Sequence, residues 1–329
     1  PVFIFVLIEI FLLKKIINKN FSIKVFLYDL IKCFIVFYFI LVLFWIDTHQ
    51  NILIYPFYIL QDFLSEDYKT GWPFNLINGN YYISSNVPSF YFLINFIFKS
   101  PEYILILYLL FFISFFKSFK FYKKKFTHFN YKILFVILML IFPNIILYVV
   151  PFPIYDGMRL FLWVVPYYCI IPGLAIYYII ENLNFKIHKI ILPFLLIFFA
   201  YHLFNFFIIT PYQYTYLNIL NGKTENRFKK FENDYWGVSI DELVKNANFE
   251  TNEVIKISTC GISDGIPKQY FKKKLGLNYK FVEPDKANYI IMTNRVMKYE
   301  KTNCFEKYKG DDIVAVKRNG LILSVIRKI

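Results

Sequence analysis

The sequence predicts a polytopic α-helical membrane protein that carries a small α/β domain at its C-terminal end. Six apolar stretches fill the first 209 of the 329 residues, the connections between them alternate in lysine content, and the chain is polar after residue 209. The stretches cover residues 1–13, 25–46, 101–116, 133–150, 159–180 and 190–209. Several reach the ~20 residues that a ~30 Å hydrocarbon core requires. We therefore expect a transmembrane domain over 1–209 and an extracytoplasmic domain over 210–329.

The lysines indicate how the chain is oriented in the membrane. Three connections are rich in lysine, namely 14–24, 117–132 and 182–189. Two others hold two lysines or none, namely 47–100 and 151–158. Because basic loops stay in the cytoplasm, the lysine-poor connections and the tail are predicted to lie outside the cytoplasmic membrane, in the periplasm. The formal net charge of +14 partly reflects this topology and does not argue for nucleic acid.

The tail is basic in its own right, with 21 Lys and Arg against 14 Asp and Glu. Such a surface is attracted to anionic lipid, although a solvated lysine-rich surface is the interpretation that we favour. The chain begins with Pro1 and its first apolar stretch precedes Lys14 instead of following basic residues, as it would in a signal peptide. We expect a chain that is truncated at its N-terminus and begins inside a membrane span.

The outer connection 47–100 is too long and too aromatic for a plain linker. Residues 52–64 and 89–98 are apolar but too short to cross a membrane, and Asn78-Gly79-Asn80 marks a turn. We predict two amphipathic helices that rest on the outer leaflet and roof a cavity. The alternative is an aromatic belt that anchors ordinary loops.

The tail contains the signals of a small α/β fold. Ser239 is placed to cap a helix over 239–248 with acidic residues in its first turn, and a second helix is predicted over 267–275. Short β-branched runs predict strands at 254–258, 289–292, 313–317 and 322–326. Asn319-Gly320 is the turn expected of a β-hairpin between the last two.

Few residues have the chemistry of a functional site. Asp156 and Arg159 lie at the outer start of the 159–180 stretch, within residues 155–159, which we call the mouth. Ionisable groups at this depth are commonly functional, and a guanidinium suits a phosphate through two parallel hydrogen bonds. The equally weighted alternative is an Asp–Arg pair that reaches the interface only to stay solvated.

Other catalytic or metal signatures are absent from the sequence. His49, His128, His188 and His202 are scattered without metal-ligand spacing, so we expect no metal site, and no nucleotide-binding or serine-hydrolase motif occurs. Cys33 and Cys169 fall in apolar stretches and are expected to be inert packing residues. Cys260 and Cys304 both fall in the tail, where a disulfide is permitted, and the sequence leaves a disulfide and two free thiols open.

Four segments, in order, resemble bacterial membrane glycosyltransferases related to protein O-mannosyltransferases (family 39 of the GT-C superfamily). The resemblance covers about residues 47–245. The segments that carry it are Gly71-Trp72-Pro73 with Asn78-Gly79, residues 84–91 and Lys99-Ser100-Pro101; Tyr155-Asp156-Gly157-Met158-Arg159-Leu160; Pro211-Tyr212-Gln213-Tyr214-Thr215-Tyr216-Leu217-Asn218; and Phe231-Glu232-Asn233-Asp234-Tyr235-Trp236-Gly237. Met158 and Leu160 stand where the family has Trp and His.

The resemblance implies a GT-C-like fold and a sugar donor linked to polyprenyl phosphate, without a cofactor. It also implies a general base, an Asp or Glu, on a first outer loop that would precede Pro1. Arg159 is the residue expected to grip the donor phosphate. Asp156, Tyr155, Tyr235 and Trp236 complete the predicted substrate site.

We expect inverting sugar transfer at the outer face of the cytoplasmic membrane to an acceptor of unknown class, with membrane lipid and the lipid-linked donor as partners. The alternative from another class is a non-catalytic membrane protein whose outer domain binds a glycan or a protein. A transporter ranks third, since the apolar stretches lack paired, broken repeats.

The aromatic residues of the fourth segment allow two interpretations. Phe231, Tyr235 and Trp236 either wedge the tail against the membrane helices, which we favour slightly, or stack on a sugar face. Both predict that the segment folds back toward the 47–100 connection.

Overall fold

The computed structural model describes residues 22–64, 72–149, 153–249, 254–273, 278–296 and 302–329. The chain forms two compact units, one of residues 1–70 with 118–138 and the other of residues 71–117 with 139–329. The predicted apolar stretch 1–13 and the expected start inside a membrane span lie outside the described residues.

The first unit is helical. Helix α1 (Ile23–Phe44) starts at Ser22, whose side chain accepts a hydrogen bond from the backbone of Val25 (3.5 Å), and none of its residues is buried. A short helix α2 (Tyr55–Leu64) follows, and Pro56 is accommodated at its first turn, where the missing N–H costs no hydrogen bond. The exposed apolar surface of α1 is what a lipid-facing helix requires.

Before the tail, the described part of the second unit contains four helices. They are α3 (Tyr91–Lys99), α4 (Glu102–Lys117), α7 (Val165–Asn182) and α8 (Phe185–Ile208). Helix α5 (Phe119–Lys125) belongs to the first unit, and α6 (Phe129–Val149) has residues in both units. Helices α3 and α4 meet at a bend of 114°. Helices α4 and α7 are held by the hydroxyl of Tyr108, which donates to the carbonyl of Tyr168 (2.8 Å).

Four helices of the described chain are long and apolar enough to cross a membrane, which suggests a membrane-embedded protein. They are Ile23–Phe44, Phe129–Val149, Arg159–Asn182 and Lys186–Ile208, and the bent pair α3–α4 makes a fifth if it counts as one span. Each coincides with an apolar stretch of the sequence. The predicted total of six crossings stays a prediction.

The outer connection contains a β-hairpin that the sequence analysis missed. Strands β1 (Phe74–Ile77) and β2 (Asn80–Ile83) pair in antiparallel fashion around Asn78 and Gly79, whose φ values of 48° and 87° suit a tight hairpin turn. All four residues of β1 are buried, so the strand lacks the alternation that identifies a half-exposed strand. The two predicted helices are present as α2 and α3, on either side of this hairpin in the sequence.

The tail folds around a five-stranded mixed sheet in the order β4-β3-β5-β7-β6. The strands are β3 (Ile255–Cys260), β4 (Tyr279–Phe281), β5 (Tyr289–Thr293), β6 (Asp311–Arg318) and β7 (Leu321–Lys328). β3 runs parallel to β4 and β5, whereas β7 is antiparallel to β5 and β6. The helices are α9 (Ile240–Asn246), α10 (Gly265–Lys273) and α11 (Cys304–Lys307).

Most tail elements occur where they were predicted, with particular corrections. The Asn319-Gly320 hairpin turn is formed, and β4 was missed because it is three residues long. Ser239 does precede α9, but its side chain makes no capping bond. Its hydroxyl donates instead to Asp234 (2.5 Å), because the backbone of Ser239 is already held by the same carboxylate.

The structure shows which cysteines are bonded. Cys260 and Cys304 form a disulfide between the end of β3 and the start of α11. Cys33 and Cys169 form no disulfide and are exposed on their helices, so the structure does not support the prediction that they are packing residues.

Candidate functional site

The mouth is a tight backbone turn that leads into an apolar helix. Asp156 and Gly157 have consecutive positive φ values of 60° and 68°, and Arg159 then opens the 3₁₀ turn Arg159–Val164 before α7. A Cβ on Gly157 would lie 2.8 Å from the ammonium nitrogen of Lys99. The turn therefore brings a lysine of α3 against the mouth backbone, at a position where φ favours glycine.

Asp156 lies between two arginines. Its side chain is buried, its Oδ2 accepts a hydrogen bond from Nη1 of Arg159 (3.1 Å), and its Oδ1 accepts one from Nη2 of Arg295 (2.7 Å). Burial raises the pKa of Asp156 above its ordinary value, and the two guanidinium groups act in the opposite direction. Arg295 is distant in sequence, so Asp156 joins the mouth to the tail.

Arg159 is the exposed member of this pair. Its side chain is 43% exposed, and its guanidinium lies 5.9 Å from the ring centre of Tyr155 and 5.8 Å from that of Trp236. Among the described residues, only its Nη1 donates a hydrogen bond. The remaining guanidinium donors are therefore available to an anion from outside.

Arg295 is buried and fixed by several neighbours. It follows β5, and its Nη1 donates to the backbone carbonyl of Tyr235 (2.9 Å). Its guanidinium stacks on the ring of Trp72 (4.0 Å), whose indole N–H donates to the carbonyl of Val296 (3.1 Å). The side chain of Arg295 is only 8% exposed and does not reach the surface as Arg159 does.

Glu232 is the second buried carboxylate of the site. Its Oε2 lies 3.6 Å from Nε of Arg295, and its Oε1 has no hydrogen-bond partner among the described residues. Burial raises the pKa of Glu232 to about 7. It lines a cavity of about 10 Å³, the room that one water needs, together with Lys99 and Asp156.

The charged side chains of the cluster favour an anionic ligand. The cluster contains three cationic side chains (Lys99, Arg159, Arg295) and two acidic ones (Asp156, Glu232). The exposed cation is flanked by aromatic rings, which suit a sugar or an isoprenoid. In the described part of the chain no three His, Cys, Asp or Glu side chains are grouped as metal ligands.

The segment 231–237 lies within the tail and brings Tyr235 and Trp236 to the mouth. Phe231 is buried against Phe98 (ring centres 5.8 Å apart) and pairs by a backbone bridge with Ile77, so the segment folds back on the outer connection as predicted. Trp236 is 48% exposed and packs against Tyr235 (5.3 Å).

Asp234 fixes the backbone that follows Trp236. Its carboxylate accepts hydrogen bonds from the backbone N–H of Val238 (2.9 Å) and of Ser239 (2.8 Å). Gly237 has a φ of 67°, and a Cβ there would lie 2.1 Å from a side-chain carbon of Ile262. The positive φ and the crowded Cβ position therefore favour glycine at this turn.

The structure brings all five predicted site residues together and adds three. Tyr155, Asp156 and Arg159 are adjacent in the mouth, and Tyr235 and Trp236 pack beside them. Sequence reasoning missed Lys99, Glu232 and Arg295 as members of the site. Glu232 and Lys99 lie in the motifs that carry the resemblance, and this was the sequence signal that could have identified them. Arg295 has no such signal, because an arginine after a short strand is typical of a surface residue.

No protein family, no curated protein and no solved structure matches this chain significantly. The glycosyltransferase resemblance therefore rests on the motifs and remains a prediction.

Proposed function

We propose that the chain belongs to an enzyme that moves a sugar from a polyprenyl-phosphate-linked donor to an acceptor at the outer face of the cytoplasmic membrane. The observation that carries the proposal is Arg159, a half-exposed guanidinium with unused donors at the start of an apolar helix, flanked by Tyr155 and Trp236. A lipid-linked phosphate needs this combination, because its head is an anion and its tail lies in the membrane.

Arg159 would stabilise the leaving group. In the proposed transfer an acceptor oxygen attacks the anomeric carbon, the bond from that carbon to the phosphate oxygen breaks, and negative charge grows on the phosphate. A fixed guanidinium with unused donors compensates this charge without needing to reorganise. Asp156 holds the guanidinium in place, and Tyr155, Tyr235 and Trp236 offer flat apolar faces to the sugar or the isoprenoid.

The acceptor proton requires a base that is not engaged elsewhere. Asp156 is buried between two arginines and Glu232 is buried beside Arg295, so neither carboxylate of the cluster is exposed to an acceptor. The proposal therefore assigns the base to a group outside this cluster. The same observation favours a second candidate, a non-catalytic membrane protein whose mouth binds a lipid-linked phosphate or glycan.

The periplasmic location of the tail belongs to the proposal. The Cys260–Cys304 disulfide supports it, since disulfides persist in oxidising compartments, as does the distribution of lysines among the connections.

The test is sugar transfer by the full-length protein in vesicles that contain polyprenyl-phosphate sugars with radiolabelled hexoses. We expect release of polyprenyl phosphate and label in an acceptor fraction, both lost in Arg159→Met. Binding of the donor without release of polyprenyl phosphate would support the non-catalytic candidate, and absence of both would refute the proposal.

A further inference from the structure

The two arginines on Asp156 come from different parts of the fold. Arg159 opens the apolar helix, and Arg295 follows strand β5 of the tail, 139 positions from Asp156. Each takes one carboxylate oxygen, with Nη1 of Arg159 on Oδ2 (3.1 Å) and Nη2 of Arg295 on Oδ1 (2.7 Å). A single guanidinium can engage both oxygens of a carboxylate, but here two guanidinium groups share them.

Arg295 is built into the tail. Its guanidinium rests on Trp72, donates to the carbonyl of Tyr235, and faces Glu232. With 8% of its side chain exposed, it has no route to a ligand at the mouth. Any role that it has in binding must act through another residue.

The backbone next to Arg295 is held by contacts within the tail. A backbone bridge joins Val296 to Asn303, and the disulfide joins the next residue, Cys304, to Cys260 at the end of β3. The sheet and the disulfide therefore fix the position from which Arg295 reaches Asp156.

We infer that Arg295 is a positioning residue that keeps Arg159 available to an anion. By occupying Oδ1 of Asp156, it limits Arg159 to one hydrogen bond and leaves the other guanidinium donors directed to the mouth. Without Arg295, Asp156 would engage Arg159 through both oxygens and take the donors that a phosphate needs. The tail thus sets the phosphate affinity of the membrane helices without contacting the ligand. That the anion is a phosphate rests on the proposed function, but the capture of Arg159 by Asp156 does not.

The capture can be measured without a substrate. Phenylglyoxal modifies accessible guanidinium groups, and mass spectrometry of peptides from the full-length protein in nanodiscs gives the rate at Arg159. We expect Arg295→Met to slow this rate about tenfold, the effect of one added charge-assisted hydrogen bond. The double variant Arg295→Met with Asp156→Asn should regain the wild-type rate, because no carboxylate remains to capture the guanidinium.

A purely structural role for Arg295 gives a different pattern. Damage to the fold would not be repaired by Asp156→Asn, so a double variant that stays slow would overturn the inference, as would an unchanged rate in Arg295→Met. Arg318→Met is the matched control, because it removes another arginine–carboxylate pair of the same sheet, with Glu242, and should leave Arg159 unaffected. Should Arg295→Met fail to fold, Arg295→Gln removes the charge but keeps an amide that can donate to the carbonyl of Tyr235, and it must still slow the modification.

The second arm measures undecaprenyl phosphate binding in the same nanodiscs. Arg295→Met should weaken it about tenfold and the double variant should restore part of the loss. A wild-type protein that binds no undecaprenyl phosphate would refute the proposed function, while the phenylglyoxal rates would still decide the role of Arg295.

Discussion

The backbone N–H of Asn233 donates a hydrogen bond to Oδ1 of Asn294 (2.9 Å), and both residues are buried. The amide nitrogen of Asn294 in turn donates to the carbonyls of Phe228 and Phe231 (2.7 Å each). One side chain therefore joins the segment that carries Glu232 and Trp236 to the strand end that carries Arg295. This contact therefore fixes Glu232 and Arg295 relative to each other.

We expect Asn294→Ala to lower the free energy of unfolding by about 3 kcal/mol, because three hydrogen bonds of a buried side chain are lost. Thermal unfolding of the purified protein checks this. Asn246→Ala, at an exposed position of α9, should change stability by less than about 0.5 kcal/mol. Equal effects of the two substitutions would show that Asn294 does not join these segments.

Phe231 and Trp236 should differ in what their loss affects. Phe231 is 1% exposed among apolar side chains, whereas Trp236 is 48% exposed beside Arg159. Phe231→Ala should cost about 3–5 kcal/mol of stability by leaving a cavity. Trp236→Ala should cost much less stability yet weaken binding of undecaprenyl phosphate in a protein that inserts normally. A large stability loss in Trp236→Ala with unchanged binding would make Trp236 a structural wedge.

Glu232 should make stability depend on pH. Its pKa is raised to about 7 from an ordinary 4.5, so between these values the folded protein binds the proton and the unfolded chain does not. The free energy of unfolding is therefore higher at low pH. It falls by on the order of 3 kcal/mol as the pH rises from the ordinary pKa toward 7. Unfolding measured from pH 4.5 to 8 should show this decline in the wild type and a flatter profile in Glu232→Gln. Parallel profiles would contradict the assignment.

The tail should lie outside the cytoplasm. An alkaline phosphatase fused after Ile329 should be active, because this enzyme needs an oxidising compartment, and the Cys260–Cys304 pair should resist alkylation in intact cells until a reductant is added. A cytoplasmic reporter that is active at the same site, with freely alkylated cysteines, would overturn the predicted topology.

Local sequence patterns predicted the long helices and the last hairpin. The apolar stretches predicted four helices, and the Asn319-Gly320 turn predicted the last hairpin. The Asp156–Arg159 ion pair was one of the two alternatives that the sequence left open. Strand β1 was missed because burial on both faces removes its alternation.

The rest of the site depends on tertiary contacts between distant positions. Nothing near Arg295 in the sequence shows that it meets Asp156, because the sheet and its docking on segment 231–237 bring them together. The same holds for Lys99, whose ammonium reaches the mouth only because Gly157 lacks a side chain.

The most direct test of the account is the affinity of the full-length protein for undecaprenyl phosphate in nanodiscs, measured against undecaprenol, which has the same chain without the phosphate. We expect the wild type to prefer the phosphate strongly, and Arg159→Lys to lose about tenfold in affinity although it keeps the charge, because the planar fork is lost. Arg318→Lys, which alters an arginine away from the mouth, should bind as the wild type does. Equal binding of the two lipids, or an Arg159→Lys variant that binds as tightly as the wild type, would contradict the claim that Arg159 grips a lipid-linked phosphate.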